Sequence, residues 1–411
     1  MQILNYILPE HLSTAQTAFA KVPQMLAIYS DLFGLYPFIR EKYGHSEFGW
    51  GGGMEHQTMT SISSDAMNET IISHELAHQW FGDMITCRSW ANIWLNEGFA
   101  EYCSGLYFEK EYGEDSYKGY VDDLLSGAKS ATGSVFILDT SNVNNVFNFS
   151  TVYAKGASVL HMLRHVMGDS LFFASLRSYA NNPSLKYGTA TTADLEAACE
   201  NVSGRSLAYF FDEWIYGESF PHYTYYWTTQ PVSDSFKTTL TIEQSTGSAN
   251  PLFFTMPLDV KLFAPGWDTV FTVFNNTSLQ SFSLVSAQSP TSVILDPDEW
   301  IVKDTSIAPL GVSVPRSMPD MISLEQNYPN PFNPSTEIRY SLPRAMWVSV
   351  QIFNMLGVRI AEPVVGFQQL GDHSFRWDGI DAAGFPVASG VYVYRIEAGP
   401  KFVARKMVLV R

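Results

Sequence analysis

The stretch HELAHQWFGD, residues 74–83, carries two histidines four positions apart with a glutamate directly after the first. Residues i and i+4 of an α-helix lie one turn apart on the same face, so the imidazoles of His74 and His78 can reach one ion. The spacing H-E-x-x-H therefore predicts two metal ligands with Glu75 beside them. The alternative is an amphipathic helix whose histidines are satisfied within a core.

A second acidic motif, WLNEGFAEY, supplies a third ligand. Glu97 follows His78 after 18 intervening residues, which leaves room for a connection and the first turn of another helix. A catalytic zinc ion binds three protein ligands and keeps one position open for water. Glu101 lies one turn further on, where it can accept a hydrogen bond from the far nitrogen of a zinc-binding histidine. Unpaired carboxylates in such an apolar neighbourhood would be costly, so the sequence predicts one zinc ion per chain, held by His74, His78 and Glu97.

The composition limits the class of protein. The chain has 411 residues, of which 46% are hydrophobic and 16% charged, and this predicts two to three globular domains. A formal net charge of -16 argues against a nucleic-acid partner, whose phosphates would be repelled. No stretch reaches the roughly 18 apolar residues of a membrane-spanning helix. The cysteines form no CxxC signature and are predicted to be buried thiols: Cys87, Cys103 and Cys199.

The elements that must position these residues change character along the chain. Apolar residues at three- and four-residue spacing predict a mainly helical domain over residues 1–222. Alternating stretches such as KTTLTIEQ, PLDVKLF and DTVFTVF predict a β-sandwich over residues 223–304. Residues 305–321 are rich in Pro and Ser and predict a linker, and residues 322–411 alternate again and predict a second β module. The expected class is therefore a multidomain α+β protein.

Four motifs together resemble the zinc aminopeptidases of the aminopeptidase N family, which are gluzincins with a thermolysin-like catalytic domain. The motifs are GGMEH at residues 52–56, HELAHQWFGD, WLNEGFAEY and VYAKGA at residues 152–157. The similarity runs from about residue 13 through the β-sandwich, where PLFFTMPLDVKL and VILDPDEWIV resemble the third domain of that family.

The resemblance implies a role for each site residue. Glu75 corresponds to the general base that accepts a proton from zinc-activated water, and Tyr153 to the tyrosine that stabilises the gem-diolate. The substrate-binding segment corresponds to Gly52, Gly53, Met54 and Glu55, with Glu55 binding the free amine of the peptide. Position 56 is His where the family usually has Asn, a change expected to alter local hydrogen bonding more than the reaction type.

The last module resembles the immunoglobulin-like C-terminal sorting domain that the type IX (Por) secretion system of some Gram-negative bacteria recognises. The residues that carry this resemblance are EQNYPNPFNPST, LGVRI and WDGIDAAGFPVASGVYVYRIEAG, within residues 322–411. It implies a secreted or cell-surface protein that engages the secretion machinery. The start of the chain does not read as a signal peptide, and the family's N-terminal β domain is also missing, so we expect an N-terminal region to be missing. A carbohydrate-binding or spacer β-sandwich is the alternative.

The leading hypothesis is thus a secreted zinc aminopeptidase that hydrolyses the N-terminal bond of peptides with a free N-terminus. Two alternatives stay open. Zinc and Glu75 would serve a zinc endopeptidase equally well, and an inactive secreted surface or binding protein would keep the fold without the reaction.

Overall fold

The computed structural model describes residues 1–248, 250–308, 323–342, 346–369, 371–398 and 401–410. The chain divides into two compact units, residues 1–307 and residues 308–411. The greater part of the predicted linker, residues 309–321, lies outside the described residues.

Helices dominate the first 214 residues of the first unit, as the apolar periodicity predicts. They are α1 (Leu12–Ala18), α2 (Val22–Phe33), α3 (Glu69–Ala77), α4 (Trp94–Tyr112), α5 (Glu114–Ala128), α6 (Val143–Val146), α7 (Lys155–Met167), α8 (Asp169–Ala180), α9 (Thr192–Ser203) and α10 (Ala208–Trp214). A π-helical turn, Phe149–Ala154, leads directly into α7. Such turns are rare and occur often at functional sites.

A small sheet lies in the same region and borders the motif GGMEH. The strands are β1 (Gln2–Tyr6), β2 (Lys42–Glu47), β3 (Gly53–Met54), β4 (Thr60–Ile62), β5 (Ile85–Cys87) and β6 (Gly188–Ala190). The sheet has the order β1-β2-β4-β3, so β3 lies at its edge and pairs with β4 in antiparallel fashion. Strands β5 and β6 pair with each other in parallel.

Residues 222–307 form strands in two sheets, as the alternation predicts. The strands are β7 (His222–Val232), β8 (Ser235–Ser245), β9 (Met256–Ala264), β10 (Trp267–Asn275), β11 (Leu279–Ser286), β12 (Ser292–Leu295) and β13 (Asp304–Ile307). One sheet has the order β10-β9-β12 and the other β11-β8-β7-β13. The prediction that the linker starts at residue 305 is wrong, because β13 pairs in parallel with β7 and extends the sheet to Ile307.

The helices and the sandwich share one continuous core. The ring of Trp214 in α10 lies 4.2 Å from that of Phe254. The ring of Trp300 stacks on His161 of α7, with centroids 4.7 Å apart. The boundary predicted between residues 222 and 223 therefore marks a change of secondary structure within one compact unit, and the division into three domains stays a prediction.

The second unit is built from strands that surround a core of its own. They are β14 (Ser323–Leu324), β15 (Thr336–Leu342), β16 (Met346–Asn354), β17 (Arg359–Gln368), β18 (Gly371–Trp377), β19 (Gly390–Ala398) and β20 (Lys401–Leu409). One sheet has the order β14-β15-β18 and the other β17-β16-β19-β20. The strands predicted from EIRYSL, WVSVQIF and VYVYRIEAG are confirmed.

Two further predictions are checked by the fold. Cys103 and Cys199 are buried free thiols, whereas Cys87 is only half-buried, because it lines the cavity described below. Within the described part of the chain, none of the helices combines the length and hydrophobicity that crossing a lipid bilayer requires.

Candidate active site

Helix α3 presents both histidines of the H-E-x-x-H motif. The helix begins after Asn68, whose side chain accepts a hydrogen bond from the backbone N–H of Ile71 at 3.1 Å. It ends at Ala77, and His78 follows with helical dihedral angles, so the one-turn spacing to His74 is kept. Both imidazoles are buried, and the prediction that they share one helical face is confirmed.

The tautomer of each histidine is set by the partner of its Nδ1 atom. Nδ1 of His78 lies 3.0 Å from the carbonyl oxygen of Phe81, which only accepts, so this nitrogen must carry the proton. Nδ1 of His74 lies 3.1 Å from Oε2 of Glu101, as the sequence predicts. In the neutral rings, both Nε2 atoms would then carry lone pairs, and these two atoms lie 3.2 Å apart. Two lone pairs at that distance favour a shared cation.

Glu97 completes the set from the first turn of α4. Its Oε2 lies 3.5 Å from Nε2 of His74 and 3.4 Å from Nε2 of His78. Tetrahedral zinc with bonds of about 2.0–2.1 Å would separate neighbouring ligand atoms by about 3.3 Å. The three atoms already have nearly that spacing, so the donor set fits zinc in both chemistry and geometry.

The electrostatics of these three side chains also favour a cation between them. Burial raises the pKa of Glu97, but the charges and hydrogen bonds of His78 and His74 outweigh it and hold that pKa well below its usual range. Burial lowers the pKa of His78, whereas the charge and hydrogen bond of Glu97 raise it to about 9. The cluster therefore stabilises positive charge between its members, either as a proton or as a metal ion.

Glu101 has a second partner that the sequence did not reveal. Its Oε1 accepts a hydrogen bond of 2.6 Å from the hydroxyl of Tyr120 in α5, while its Oε2 faces His74. The carboxylate is thus held from both sides, which fixes the orientation of the histidine ring.

Glu75 and Glu55 come together above the histidines. A carboxylate oxygen of each and a ring nitrogen of His78 all lie within 4.8 Å of one another. The side chain of Glu75 is buried, and this burial raises its pKa. Gly53 makes the approach possible, because a Cβ atom there would lie 2.6 Å from Cδ of Glu75.

The GGMEH segment forms the rim beside Glu75. Gly52 has a φ of +94°, a conformation that favours glycine, and its carbonyl accepts a hydrogen bond of 2.9 Å from the N–H of Ser63. Met54 is 44% exposed and lines the cavity. His56 is exposed and its Nδ1 lies 2.9 Å from Oγ of Ser61.

Tyr153 projects from the π-helical turn towards the histidines. Its ring stacks on His74 with centroids 6.0 Å apart and 17° between the planes. Burial, together with the nearby carboxylate of Glu97, raises the pKa of the phenol, so it stays protonated. Helices α4 and α7 approach closely here, because a Cβ atom on Gly98 would lie 2.9 Å from the backbone of Gly156.

Gln79 is a contributor that the spacing argument missed. This fully buried side chain accepts a hydrogen bond from the N–H of Thr58 at 2.9 Å and donates to Oδ2 of Asp83 at 2.7 Å and to the carbonyl of Glu55 at 3.3 Å. It thereby ties the end of the histidine helix to the segment that carries Glu55. The only signal in the sequence is its position directly after His78.

The predicted site residues line one cavity of about 950 Å³, except for Gly52. The lining also includes side chains that were not predicted from the sequence: Arg88, Trp90, Phe147 and Phe149. Arg88 could have been noticed, since it is the only lysine or arginine between residues 79 and 96.

The fold and this site define a metallopeptidase type of domain, with an H-E-x-x-H helix and a glutamate on a second helix. Residues 54–214 match the sequence profile of the Peptidase family M1 domain. Residues 334–400 match the FlgD Ig-like domain.

Curated proteins named as aminopeptidases are similar in sequence to part of this chain. Aminopeptidase M1-B of Oryza sativa subsp. japonica is 32% identical over 188 residues, which are 44% of this chain and 21% of the relative. Aminopeptidase N of Lactococcus lactis subsp. lactis is 32% identical over 171 residues, 39% of this chain and 20% of the relative. The chain thus spans about a fifth of the length of these curated relatives.

A solved structure extends the likeness at the level of the fold. Legionella pneumophila aminopeptidase A, in complex with aspartic acid, superposes with a TM-score of 0.63 at 18% sequence identity. The superposition covers 75% of this chain and 37% of that protein.

Proposed function

We propose that residues 1–307 act as a zinc-dependent aminopeptidase that hydrolyses the N-terminal bond of peptides. One observation carries the proposal: three ligand atoms, from His74, His78 and Glu97, converge with separations of 3.2 to 3.5 Å. This is the spacing that zinc requires, and three protein ligands would leave one position for water.

Zinc bound there would polarise the scissile carbonyl and lower the pKa of a water molecule as a Lewis acid does. Glu75 then serves as the proton carrier. Its buried carboxylate has a raised pKa, so its affinity for a proton is matched to neutral conditions better than that of an exposed glutamate. The carboxylate accepts the proton of the attacking water and returns it to the nitrogen of the leaving amine.

Tyr153 supplies a neutral donor for the negative charge that develops on the carbonyl oxygen. Because burial raises the pKa of its phenol, the O–H is present throughout the reaction. A donor that is already fixed in place costs no reorganisation at the transition state. Stacking on His74 holds the ring in position.

Glu55 and strand β3 provide the features that an exopeptidase needs to hold the free N-terminus of a peptide. Strand β3 is the edge of its sheet, so its outer backbone groups are available to an extended peptide. The carboxylate of Glu55, close to Glu75 and His78, can form a charge-assisted hydrogen bond with the α-ammonium group. A peptide held in this way presents its first bond to Glu75.

The test is to load the full chain with zinc, measure the bound metal and compare free-amine with N-acetylated fluorogenic peptides. We expect about one zinc per chain, lost in His78→Ala and retained in Glu75→Gln, which should lose nearly all turnover. His373→Ala, in the second unit, is the control for metal content. Stoichiometric zinc in His78→Ala would overturn the metal assignment.

The same peptides decide between the reaction types. Free-amine peptides should be cleaved far faster than acetylated ones, and Glu55→Ala should lower kcat/KM for free-amine peptides by roughly 10 to 100-fold. Equal cleavage of internal bonds in acetylated peptides would establish a zinc endopeptidase instead. Zinc binding without cleavage of either set would support an inactive binding protein.

For residues 322–411 we propose a secretion signal of the type IX kind, acting in a Gram-negative bacterium and delivering the protein to the outside or the cell surface. The resemblance of the Asn- and Pro-rich segment carries this proposal. That segment meets the C-terminal strand, since the N–H of Phe332 donates to Val408 and its carbonyl accepts from Val410, both at 3.0 Å.

The secretion proposal is tested in a host that has this system. The full chain and a version without residues 308–411, each with the same added signal peptide, are compared for their presence outside the cell. Export of the full chain alone supports the proposal. Equal export of both versions contradicts it and favours a spacer or carbohydrate-binding role.

A further inference from the structure

Arg88 lines the same cavity as Glu55. Its backbone N–H donates to the carbonyl of Ala190 at 2.8 Å, which continues the pairing of β5 with β6. The preceding N–H, of Cys87, donates to Oδ1 of Asn96 at 3.0 Å, and Asn96 directly precedes the ligand Glu97. The backbone under Arg88 is therefore tied to the helix that carries the candidate metal ligand.

The guanidinium group itself is only loosely engaged. Its contacts to the hydroxyl and carbonyl oxygens of Thr189 measure 3.4 and 3.5 Å, and Nη2 lies 3.6 Å from Oδ2 of Asp194. That Oδ2 already accepts two hydrogen bonds of 2.8 Å from Thr191, at the start of α9. A guanidinium has five N–H donors, and this side chain is 57% exposed, so donors remain for a ligand.

Arg88 carries a charge opposite to that of the carboxylates that line the cavity. Four glutamates line the cavity: Glu55, Glu75, Glu97 and Glu101. Among the described lining residues, Arg88 is the only lysine or arginine. A carboxylate on a substrate would be repelled by the glutamates, and apart from the proposed metal centre its favourable partner among the described lining residues is Arg88.

An apolar surface adjoins the guanidinium. Trp90 is 56% exposed and Phe147 is 43% exposed, and their rings meet edge to face at 5.9 Å. Ser89 is extended, so Arg88 and Trp90 project to the same side of the chain. A charged fork beside exposed aromatic rings suits a residue with an apolar body and a carboxylate.

We propose that Arg88 forms a carboxylate-binding subsite, and that the preferred substrates are short peptides whose carboxylate reaches it while their ammonium group is bound at Glu55. The proposal rests on the proposed aminopeptidase function and names its substrate class. The carboxylate has two possible sources, the C-terminus of a short peptide or an acidic side chain after the cleaved bond. Both would use the same bidentate hydrogen bonding.

Binding is measured first, so that turnover is not needed. The zinc-loaded full chain with Glu75→Gln is titrated with the dipeptide Ala-Ala as the free acid and as the C-terminal amide. We expect the acid to bind about tenfold more tightly, the lower end of the range for a hydrogen bond between charged groups, since the site is partly exposed. Adding Arg88→Gln should abolish this difference, whereas Arg376→Gln, a surface arginine of the second unit, should not.

Neutral C-termini identify the source of the carboxylate. Ala-Asp amide is compared with Ala-Asn amide in the same titration. A preference for the free acid of Ala-Ala assigns the C-terminus, and a preference for Ala-Asp amide assigns an acidic side chain. Equal affinity within both pairs, or a preference that survives Arg88→Gln, overturns the subsite.

Turnover separates this proposal from the aminopeptidase proposal. An amino-acid anilide has no carboxylate, so its hydrolysis by the zinc-loaded chain tests the aminopeptidase alone. For peptides, the ratio of kcat/KM between acid and amide should fall about tenfold in Arg88→Gln. Hydrolysis of the anilide with an unchanged ratio contradicts the subsite alone. A chain that fails on every substrate contradicts the aminopeptidase, while the titrations still decide the subsite.

Discussion

The backbone of Gly53 lies so close to Glu75 that a Cβ atom at position 53 would come within 2.6 Å of Cδ of that carboxylate. Real side-chain atoms do not approach this closely, so one of the two residues would have to move. Edge strand β3 and the proposed proton carrier thus share a space that only glycine leaves open.

We expect Gly53→Ala to lower kcat by about 10² while zinc stays bound, because a displaced base no longer meets the attacking water. The measurement is kcat together with the zinc content. Gly49→Ala is the control, since a Cβ atom there meets nothing within 4 Å. Full activity in Gly53→Ala would show that Glu75 acts from another position.

For catalysis, the hydroxyl group of Tyr153 is expected to matter more than its aromatic ring. Tyr153→Phe removes the donor to the developing oxyanion but keeps the stacking on His74, so kcat should fall by around 10² to 10³ with a smaller change in KM. Tyr6→Phe, at an exposed tyrosine of β1, is the control. An unchanged kcat would reduce Tyr153 to a packing residue.

The histidine pair illustrates what a sequence can predict about such a site. A helix fixes residues four apart on one face, so His74, His78 and the nearby Glu97 follow from spacing, and so does the hydrogen bond from His74 to Glu101. The strands of the sandwich follow from alternation in the same way. These features depend on local geometry.

Contacts between distant segments could not be predicted in this way. The hydrogen bond from Tyr120 to Glu101 and the contacts of Gln79 with Thr58 and Glu55 join elements whose packing no local pattern specifies. Strand β13 overlaps the predicted linker, because a short, exposed edge strand has little alternation to detect.

Gln79 provides a test of this long-range tie. Gln79→Leu leaves the buried N–H of Thr58 without its partner, which costs about 1–3 kcal/mol, and it also removes the donor to the half-buried carboxylate of Asp83. The segment with Glu55 should loosen as well, because its backbone contact is lost. We expect a lower urea midpoint and a higher KM for free-amine peptides, with zinc retained.

Gln16→Leu, at an exposed position of α1, is the matched control for this change. It should leave both the urea midpoint and KM close to those of the unaltered chain. If Gln79→Leu lowers stability without changing KM, Gln79 supports the fold but does not position Glu55.

A last prediction concerns stability and pH, at a carboxylate that does not line the cavity of the candidate active site. Burial raises the pKa of Glu213 in α10 to about 7, although its carboxylate accepts hydrogen bonds from the N–H and hydroxyl of Thr255, at 2.5 and 2.8 Å. Between the ordinary glutamate pKa near 4.5 and about 7, the folded chain binds more protons here than the unfolded chain. The contribution of this group to stability is therefore present at low pH and is lost as the pH rises through that window.

Glu213→Gln should remove this pH dependence, because the amide cannot ionise and its oxygen can still accept from the N–H of Thr255. The difference in urea midpoint between Glu213→Gln and the unaltered chain should therefore move in favour of the variant as the pH rises from 5 to 8. Thr255→Val should act in the opposite direction, since it deletes a hydrogen bond that favours the ionised carboxylate and so raises the pKa further. Parallel changes of midpoint with pH in all three chains would mean that Glu213 titrates alike in the folded and unfolded states.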